Sequence, residues 1–359
     1  MKPPYIVPSM KEIENIEWNG YNVISTFSGA GGSCLGYRMA GYKVVYANEF
    51  VPEAQKTYKM NHPKSYLDTR DIRNVTADDI FKFTGLKRGE IDIFDGSPPC
   101  ADFSVSGKRD ENWGKVKCYS DTKQRVDDLF FEYSRLIKEL QPKVFIAENV
   151  SGLIKGKAKG YFKAIMKELK ACGYNVKASL LNSKWLGVPQ SRERLIFIGV
   201  RNDLNAKPVF PKPKKYYYTL SESFDGLKEN HEEDSWKLPD GKMQKLYRHA
   251  KRNTKKHKGY FSHSHKELYG KESFFNHRIA LKNKPSPTIV QGSPCVYHYD
   301  EPRSLSISEV KRLCSFPDDF ILTGNFNKRW ERLGRAVPPL MMKEISKTVQ
   351  TEILDKVKG

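Results

Sequence analysis

From Tyr21 onward, short runs of apolar, β-branched residues alternate with amphipathic stretches, the pattern of a parallel sheet covered by helices. Val23 to Phe27 predicts the first strand and Val44 to Ala47 the second. Ile91 to Phe94, Val144 to Ala147 and Leu195 to Val200 predict later ones. Helical spacing runs through Ala77 to Phe83, Val126 to Leu140 and Tyr161 to Cys172, with Leu129, Tyr133, Leu136 and Leu140 on one face. The expected class is α/β, a doubly wound and mostly parallel sheet.

After Arg201 the texture changes. Pro208, Pro211 and Pro213 lead into a polar, Lys-rich region that lasts to about Pro287, which predicts a separate, smaller module. The expected division is a first domain over 1–207, the module over 208–287, and a C-terminal part over 288–359 that completes the first domain. Ser308 to Phe316 and Pro338 to Val357 return to helical amphipathicity and are expected to pack back on that domain.

Charge changes the picture more than length does. The 359 residues, 38% hydrophobic, can bury a full core, which excludes wholesale disorder. Against 42 Asp+Glu stand 62 Lys+Arg, a net +20 that attracts polyanions and favours a nucleic-acid partner. Between Pro211 and Lys284 there are 18 Lys+Arg and 9 Asp+Glu, a local +9, and Lys242 to Lys258 contains no acid. Within that run Lys251, Arg252, Lys255 and Lys256 are candidates for phosphate contact; the alternative is a solvated face. No apolar run approaches the roughly 20 residues needed to cross a bilayer, and the first residues lack a signal-peptide stretch. The expectation is a soluble, cytoplasmic protein without a membrane partner, acting as a monomer. The six cysteines are scattered with no Cys-x-x-Cys pair, so neither a structural zinc site nor a disulfide framework is expected. His249, His257, His263 and His265 lie in a Lys-rich stretch without a cysteine or carboxylate cluster, so no metal is expected there.

The first strand runs into Ser28-Gly29-Ala30-Gly31-Gly32-Ser33, a Gly-rich turn where missing Cβ atoms let backbone approach a nucleotide-like ligand. Glu49 follows the second strand, placed to accept from ribose hydroxyls, and Asp71, with Ile72 beside it, follows where a third strand should end. Asp95-Gly96-Ser97-Pro98-Pro99-Cys100 follows Ile91 to Phe94. Two prolines fix the backbone before a thiol at the carboxyl end of a strand, a placement suited to nucleophilic attack. Ala147-Glu148-Asn149-Val150 brings a carboxylate to the same edge of the sheet. Gln190-Ser191-Arg192-Glu193-Arg194 is read as placing two guanidiniums on one side of a strand.

Taken in order, these blocks resemble the DNA (cytosine-5) methyltransferases: Phe27-Ser28-Gly29-Ala30-Gly31-Gly32, Pro98-Pro99-Cys100, Glu148-Asn149-Val150, Gln190 to Arg194, Phe316-Pro317-Asp318-Asp319 and Gly334 to Pro339. The resemblance covers nearly the whole chain except the Lys-rich module. It implies an S-adenosylmethionine-dependent, Rossmann-like catalytic domain and a smaller DNA-recognition domain acting on double-stranded DNA. It implies a cofactor pocket of Phe27, Gly29, Ala30, Gly31, Gly32, Glu49, Asp71, Ile72, Pro98, Arg335 and Ala336. The compact chain resembles prokaryotic or phage modification enzymes of restriction-modification systems.

The chemistry implied is an attack by the Cys100 thiolate on carbon 6 of cytosine, which turns carbon 5 into a nucleophile for a methyl group. A protonated carboxyl can donate to ring N3 while accepting from the exocyclic amine, and Glu148 fits that role. By resemblance Arg192 touches the cytosine carbonyl oxygen and Arg194 holds the catalytic carboxylate. Stacking covers carbon 6 in a duplex, so the base must be flipped out. The segment from Ala101 to Arg125 is expected to form the lid, with Ser104, Ser106, Lys108 and Arg109 offered to phosphates; Gln190 is a further expected DNA contact.

Two departures stand out. The family usually has glutamine after the cysteine, where this chain has Ala101. It nearly always has asparagine after the glycine of the last block, where this chain has Arg335. A guanidinium beside a sulfonium is repulsive, roughly 3 kcal/mol at about 5 Å and an effective dielectric of about 20. Arg335 is therefore expected either to turn outward, to a phosphate or the lid, or to bind an anionic transferred group. The second case would make carboxy-S-adenosylmethionine the donor and 5-carboxymethylcytosine the product. Remoter alternatives are an RNA cytosine-5 methyltransferase, against which the missing Cys-Phe-Thr tripeptide counts, and a non-catalytic DNA-binding homologue, which would be expected to lose Cys100.

Overall fold

The computed structural model describes residues 2–99, 128–154, 158–227, 237–238, 241–292 and 294–357, and the backbone of 117–119 and 122–124. Contacts divide the chain into two compact units. The larger comprises Met10–Asn182, Glu193–Pro213 and Pro339–Gly359, and the smaller Met1–Ser9, Ser183–Arg192 and Lys214–Pro338.

In the larger unit the apolar runs form a seven-stranded sheet. Its strands are β1 (Asn22–Thr26), β2 (Lys43–Asn48), β3 (Tyr66–Asp68), β4 (Ile93–Gly96), β5 (Val144–Val150), β6 (Tyr174–Asn182) and β7 (Glu193–Arg201). They lie in the order β3-β2-β1-β4-β5-β7-β6. The first five named in that order are mutually parallel, whereas β7 runs antiparallel to both β5 and β6. Register is tight: Thr26 sits opposite Asn48 on one side and Gly96 on the other, Asn48 opposite Asp68, and Gly96 opposite Ala147. The carboxyl ends of β1 to β5 therefore reach one edge together.

Helices α1 (Gly32–Met39), α2 (Pro52–Asn61), α3 (Ala77–Thr84), α4 (Leu129–Leu140) and α5 (Lys159–Ala171) follow β1, β2, β3 and, in turn, precede β5 and β6. Local signals explain their ends: α2 starts on Pro52, whereas α3 has a Thr76/Asp79 capping box and stops at the left-handed Gly85. Leu129, Tyr133, Leu136 and Leu140 are all buried, and the Tyr133 hydroxyl reaches the carbonyls of Phe94 and Ile146 at 3.0 Å, binding α4 to two strands at once. The edge strand β6 and the polar helix α2 were not predicted. Neither carries a continuous apolar run: β6 alternates buried Tyr174 and Val176 with exposed Asn175 and Lys177, and α2 reads Pro-Glu-Ala-Gln-Lys-Thr-Tyr-Lys-Met-Asn.

The smaller unit includes α6 (Lys242–Arg252), α7 (Phe261–Tyr269), α8 (Ile307–Leu313) and α9 (Phe326–Arg335). Leu246, Tyr247, Ala250, Phe261, Ile279 and Tyr297 form its own apolar core. The contacts part the chain elsewhere than at 207 and 287. Residues 288–338 group with the Lys-rich module, because Arg278 and Ile279 pair with Val296 and Tyr297 and the Tyr247 hydroxyl donates to the His298 carbonyl at 2.8 Å. Only the helix Pro339–Val349 and the residues after it return to the larger unit.

That C-terminal helix packs on α1 at Gly36, where an added Cβ would come within 2.5 Å of the Pro339 carbonyl and 2.6 Å of Met342 Cβ. Gly36→Ala gains up to about 1 kcal/mol of helix propensity but meets backbone, and overpacking costs about 1–3 kcal/mol. The expected outcome is a lower urea midpoint; an unchanged or higher midpoint would show that the two helices can separate freely.

Candidate active site

The common edge of β1 to β5 gathers the sequence-predicted residues of the larger unit. After β1 the backbone turns through Phe27 (φ 53°), Gly29 (φ 57°) and Gly31 (φ 89°) before α1 begins. The left-handed Phe27 is strained and marks the turn as held by its surroundings. Glu49 does much of the holding: one carboxylate oxygen accepts from Gly29 N and the other from Val51 N, each at 2.7 Å. Gly31 lies directly over buried His62, whose Nε2 would sit 2.2 Å from an added Cβ. Burial and Arg38 push the His62 imidazole down to about 3, so it is neutral at physiological pH.

Asp71 closes the short turn Ile72–Asn74 by accepting from Arg73 N, and pairs with the Arg73 guanidinium at 2.9 Å; Ile72 is buried beside it. The carbonyl of Pro98 accepts from Asn149 Nδ2 at 3.2 Å, tying the proline pair to the end of β5. Cys100, Ser104, Ser106, Lys108 and Arg109 lie outside the described residues, as does most of the expected lid. Within it the backbones of Lys117–Tyr119 and Thr122–Gln124 pair antiparallel.

At the end of β5, Glu148 Oε1 lies 2.5 Å from Arg194 Nε, with side chains 11% and 14% exposed. The contact follows from register: antiparallel β7 sets Arg194 opposite Val150 and Ile196 opposite Glu148. Burial pulls the Arg194 guanidinium below its usual range, with Glu148 offsetting part of the shift. Arg192 does not share a strand face with Arg194, contrary to the expectation from their spacing. The chain passes from the smaller unit to the larger between Arg192 and Glu193. Arg192 is almost wholly buried, with Nη1 donating to the Ile289 carbonyl (2.9 Å) and Nη2 to that of Gly334 (2.8 Å).

Gln190, expected at DNA, is instead fully buried. Its amide nitrogen donates to the Leu313 carbonyl and its oxygen accepts from Ile289 N, so it braces the smaller unit. Arg335 Nε donates to Glu331 Oε1 at 2.9 Å on the same helix, and Ala336 ends that helix. All four candidates of the basic run are exposed; Lys256 pairs with Glu267 at 2.5 Å and Lys251 donates to the Asp300 carbonyl at 2.7 Å. His257 contacts the same Glu267 at 2.9 Å, but among the described residues no group of three or more ligand-type side chains is arranged to hold a metal.

The residues present fit a nucleoside-containing cofactor. Nothing lies within 4 Å of the position a Cβ would take at Gly29, leaving space over a turn that points backbone toward it. Glu49 carries carboxylate lone pairs beyond the two backbone bonds it accepts.

One buried group escaped the sequence analysis. Asp95, on β4 just before the prolines, accepts from Ser25 Oγ (2.9 Å) and Tyr37 OH (3.0 Å). Burial chiefly, and then Glu148, raise its carboxyl to about 7 against the hydrogen bonds of Ser25 and Tyr37. An acid inside the apolar run Ile91 to Phe94 and its flank was the available signal.

The doubly wound sheet with its ligand edge at the carboxyl ends belongs to the class of S-adenosylmethionine-dependent methyltransferases. A solved DNA modification methyltransferase encoded within an E. coli prophage shares this fold at a TM-score of 0.70 and 24% identity, covering 94% of this chain and 100% of that one. The sequence profile of the C-5 cytosine-specific DNA methylase family matches residues 21–351. Type II methyltransferase M.NgoPII of Neisseria gonorrhoeae is 30% identical over 93% of this chain and 96% of its own length. Type II methyltransferase M.PspPI of Psychrobacter sp. (strain TA137) is 33% identical over 92% and 79%. The chain belongs to the C-5 cytosine-specific DNA methylase family, and is an enzyme of that family. No helix of the described residues is long and apolar enough to cross a membrane.

Because the Asp95 carboxyl is raised when folded, the native state binds more protons than the unfolded chain between the ordinary carboxylate range and about 7. Its contribution to stability is present below that window and is lost as pH rises through it. The difference in urea midpoint between wild type and Asp95→Asn should therefore change between pH 5 and pH 7.5, with wild type losing more on going up. A difference that stays constant would mean that Asp95 does not titrate there.

Proposed function

We propose that the chain methylates carbon 5 of a cytosine flipped out of double-stranded DNA, with Cys100 adding to carbon 6. The observation that carries this reading is the buried Glu148–Arg194 pair at the sheet edge that also bears the Gly-rich turn and Pro98. S-adenosylmethionine supplies an electrophilic methyl group when bound; the turn Phe27 to Gly32, Glu49, Asp71 and Ile72 hold it. The Cys100 thiolate forms the bond to carbon 6, and Glu148, positioned by Arg194 and protonated as the base enters, donates to ring N3 and accepts from the exocyclic amine, so that electron density moves to carbon 5. After transfer, loss of the carbon 5 proton and expulsion of the thiolate restore the aromatic ring. Within the smaller unit Arg192 fixes the carbonyls of Ile289 and Gly334, the latter opening the last family block.

The methyl group is favoured over carboxymethyl because Glu331 already engages the Arg335 guanidinium. A cofactor carboxylate would have to share the Arg335 guanidinium with that partner. The test is incubation of DNA with the enzyme and both cofactors at equal concentration, with nucleosides resolved by mass. The expected product is 5-methylcytosine, also from Arg335→Asn; a carboxymethyl product that vanishes in Arg335→Asn would replace the methyl reading. Cys100→Ser should lose turnover by more than about 10³-fold while retaining DNA binding. DNA carrying 5-fluorocytosine should trap wild type, and not Cys100→Ala, as a covalent adduct. Equal trapping of both would remove Cys100 from the mechanism.

The basic run of α6 and the residues after it support the DNA partner unequally. Lys251 and Lys256 have partners within the protein, so Arg252 and Lys255 are the ones presented to phosphate. Neutralising Arg252 and Lys255 together should make the salt slope of DNA binding shallower by roughly 0.9 for each phosphate that is no longer neutralised. Neutralising Lys251 and Lys256 should change it less. Fluorescence anisotropy between 50 and 200 mM salt measures both.

A further inference from the structure

We propose that the smaller unit carries a second nucleic-acid contact: a pocket that takes one unpaired base on Trp185, Tyr216 and Tyr217, and its phosphate on Lys215. These four residues line an open pocket of about 600 Å³, within the range of small-molecule sites and roomy enough for a nucleotide. None of them belongs to the family blocks or to the basic run of α6.

The pocket is built from two chain segments held side by side, since Lys214 N donates to the Trp185 carbonyl at 2.8 Å. That bond brings the Lys-Lys-Tyr-Tyr-Tyr segment beside the indole, and the Tyr217 ring stands edge-on to it at 5.8 Å and 70°. Tyr216 leans on Tyr218 at 5.6 Å, and Tyr218 is buried with its hydroxyl donating to the Pro3 carbonyl. The rings are thus fixed before any ligand arrives, while Trp185, Tyr216 and Tyr217 keep part of their surface in solvent. Pre-set aromatic faces lower the ordering cost of stacking a base.

Charge points the same way. Lys184 Nζ lies 4.8 Å from the centre of the Trp185 ring, and Lys215 is exposed at the pocket. The acid in the lining, Glu222, is neutralised by Lys2 at 2.5 Å and caps a turn through Thr219. Apart from the neutral polar Thr219, Ser221 and Asn283, the remaining lining is Lys215 beside three aromatic rings, a combination that binds single strands by phosphate attraction and base stacking. A paired base exposes only its edges, because its faces are covered by neighbours, so these rings suit an unpaired base and not a duplex.

The test uses the full-length enzyme with a 5-iododeoxyuridine-substituted oligothymidylate. Ultraviolet crosslinks mapped by mass spectrometry are expected at Trp185 or Tyr217. Affinity for oligothymidylate should fall roughly 5-fold or more in Trp185→Leu and also fall in Lys215→Gln, a surface change that leaves the fold alone. Methyl transfer to duplex DNA should be unchanged in Lys215→Gln. Crosslinks confined to other residues, or unaltered affinity in Lys215→Gln, would overturn the proposal. So would polyglutamate competing as well as oligothymidylate of equal charge, which would leave a cationic patch open to acidic protein segments. Absence of 5-methylcytosine from wild-type reactions would count against the methyltransferase reading alone, since crosslinking is read without cofactor.

Discussion

One reversal of chain direction holds the site together. In an otherwise parallel arrangement, β7 runs back along β5, and that alone sets Arg194 where its guanidinium meets Glu148. Two charges withdrawn from water are tolerable only as partners; removing one typically costs about 3–5 kcal/mol because the other is left stranded. The pair therefore demands the register, and the register is secured on both sides, by β5 and by the long edge strand β6. A carboxyl group oriented in this way keeps its position when a base arrives, and little reorganisation is left to the reaction itself.

Much of this was legible in the chain. The five strands read from apolar runs are present, and the α4 stripe is buried as its spacing predicted, since fully covered strands and one-sided helices write strong hydrophobic patterns. Strand β6 was missed because an edge strand is covered on one face only, and α2 because its buried positions include Thr57 and Asn61. The site divided along the same line. Glu49, Pro98 and Glu148 sit at strand ends, where strand prediction already puts them. The roles of Gln190 and Arg192 depend on contacts with residues roughly a hundred or more positions away, Ile289, Leu313 and Gly334, which no local pattern records.

Asp95 belongs to a third category, visible in the chain at the head of a motif but given no role there. Its neighbours Ser25 and Tyr37 come from β1 and α1, so a group on the proline-bearing strand is bonded to the elements on either side of the Gly-rich turn. The strand that leads to Pro98 and Pro99 and the Gly-rich turn are thereby anchored to one buried carboxyl. Satisfied polar groups of this kind rigidify a core at the cost of desolvation.

The two rims of the sheet carry a different consequence. An uncovered strand offers unpaired amides and carbonyls to any passing chain, and long flat rims are where sheets fuse into aggregates. Here one rim, β3, is only three residues long, too short to template much pairing. The other, β6, is nine residues long but exposes Lys177 next to buried Val176, a charge that an incoming strand would have to desolvate. Leu180, 38% exposed on that same rim, is the weak point. In this architecture colloidal behaviour is decided at one lysine and one leucine of a strand that takes no part in the chemistry.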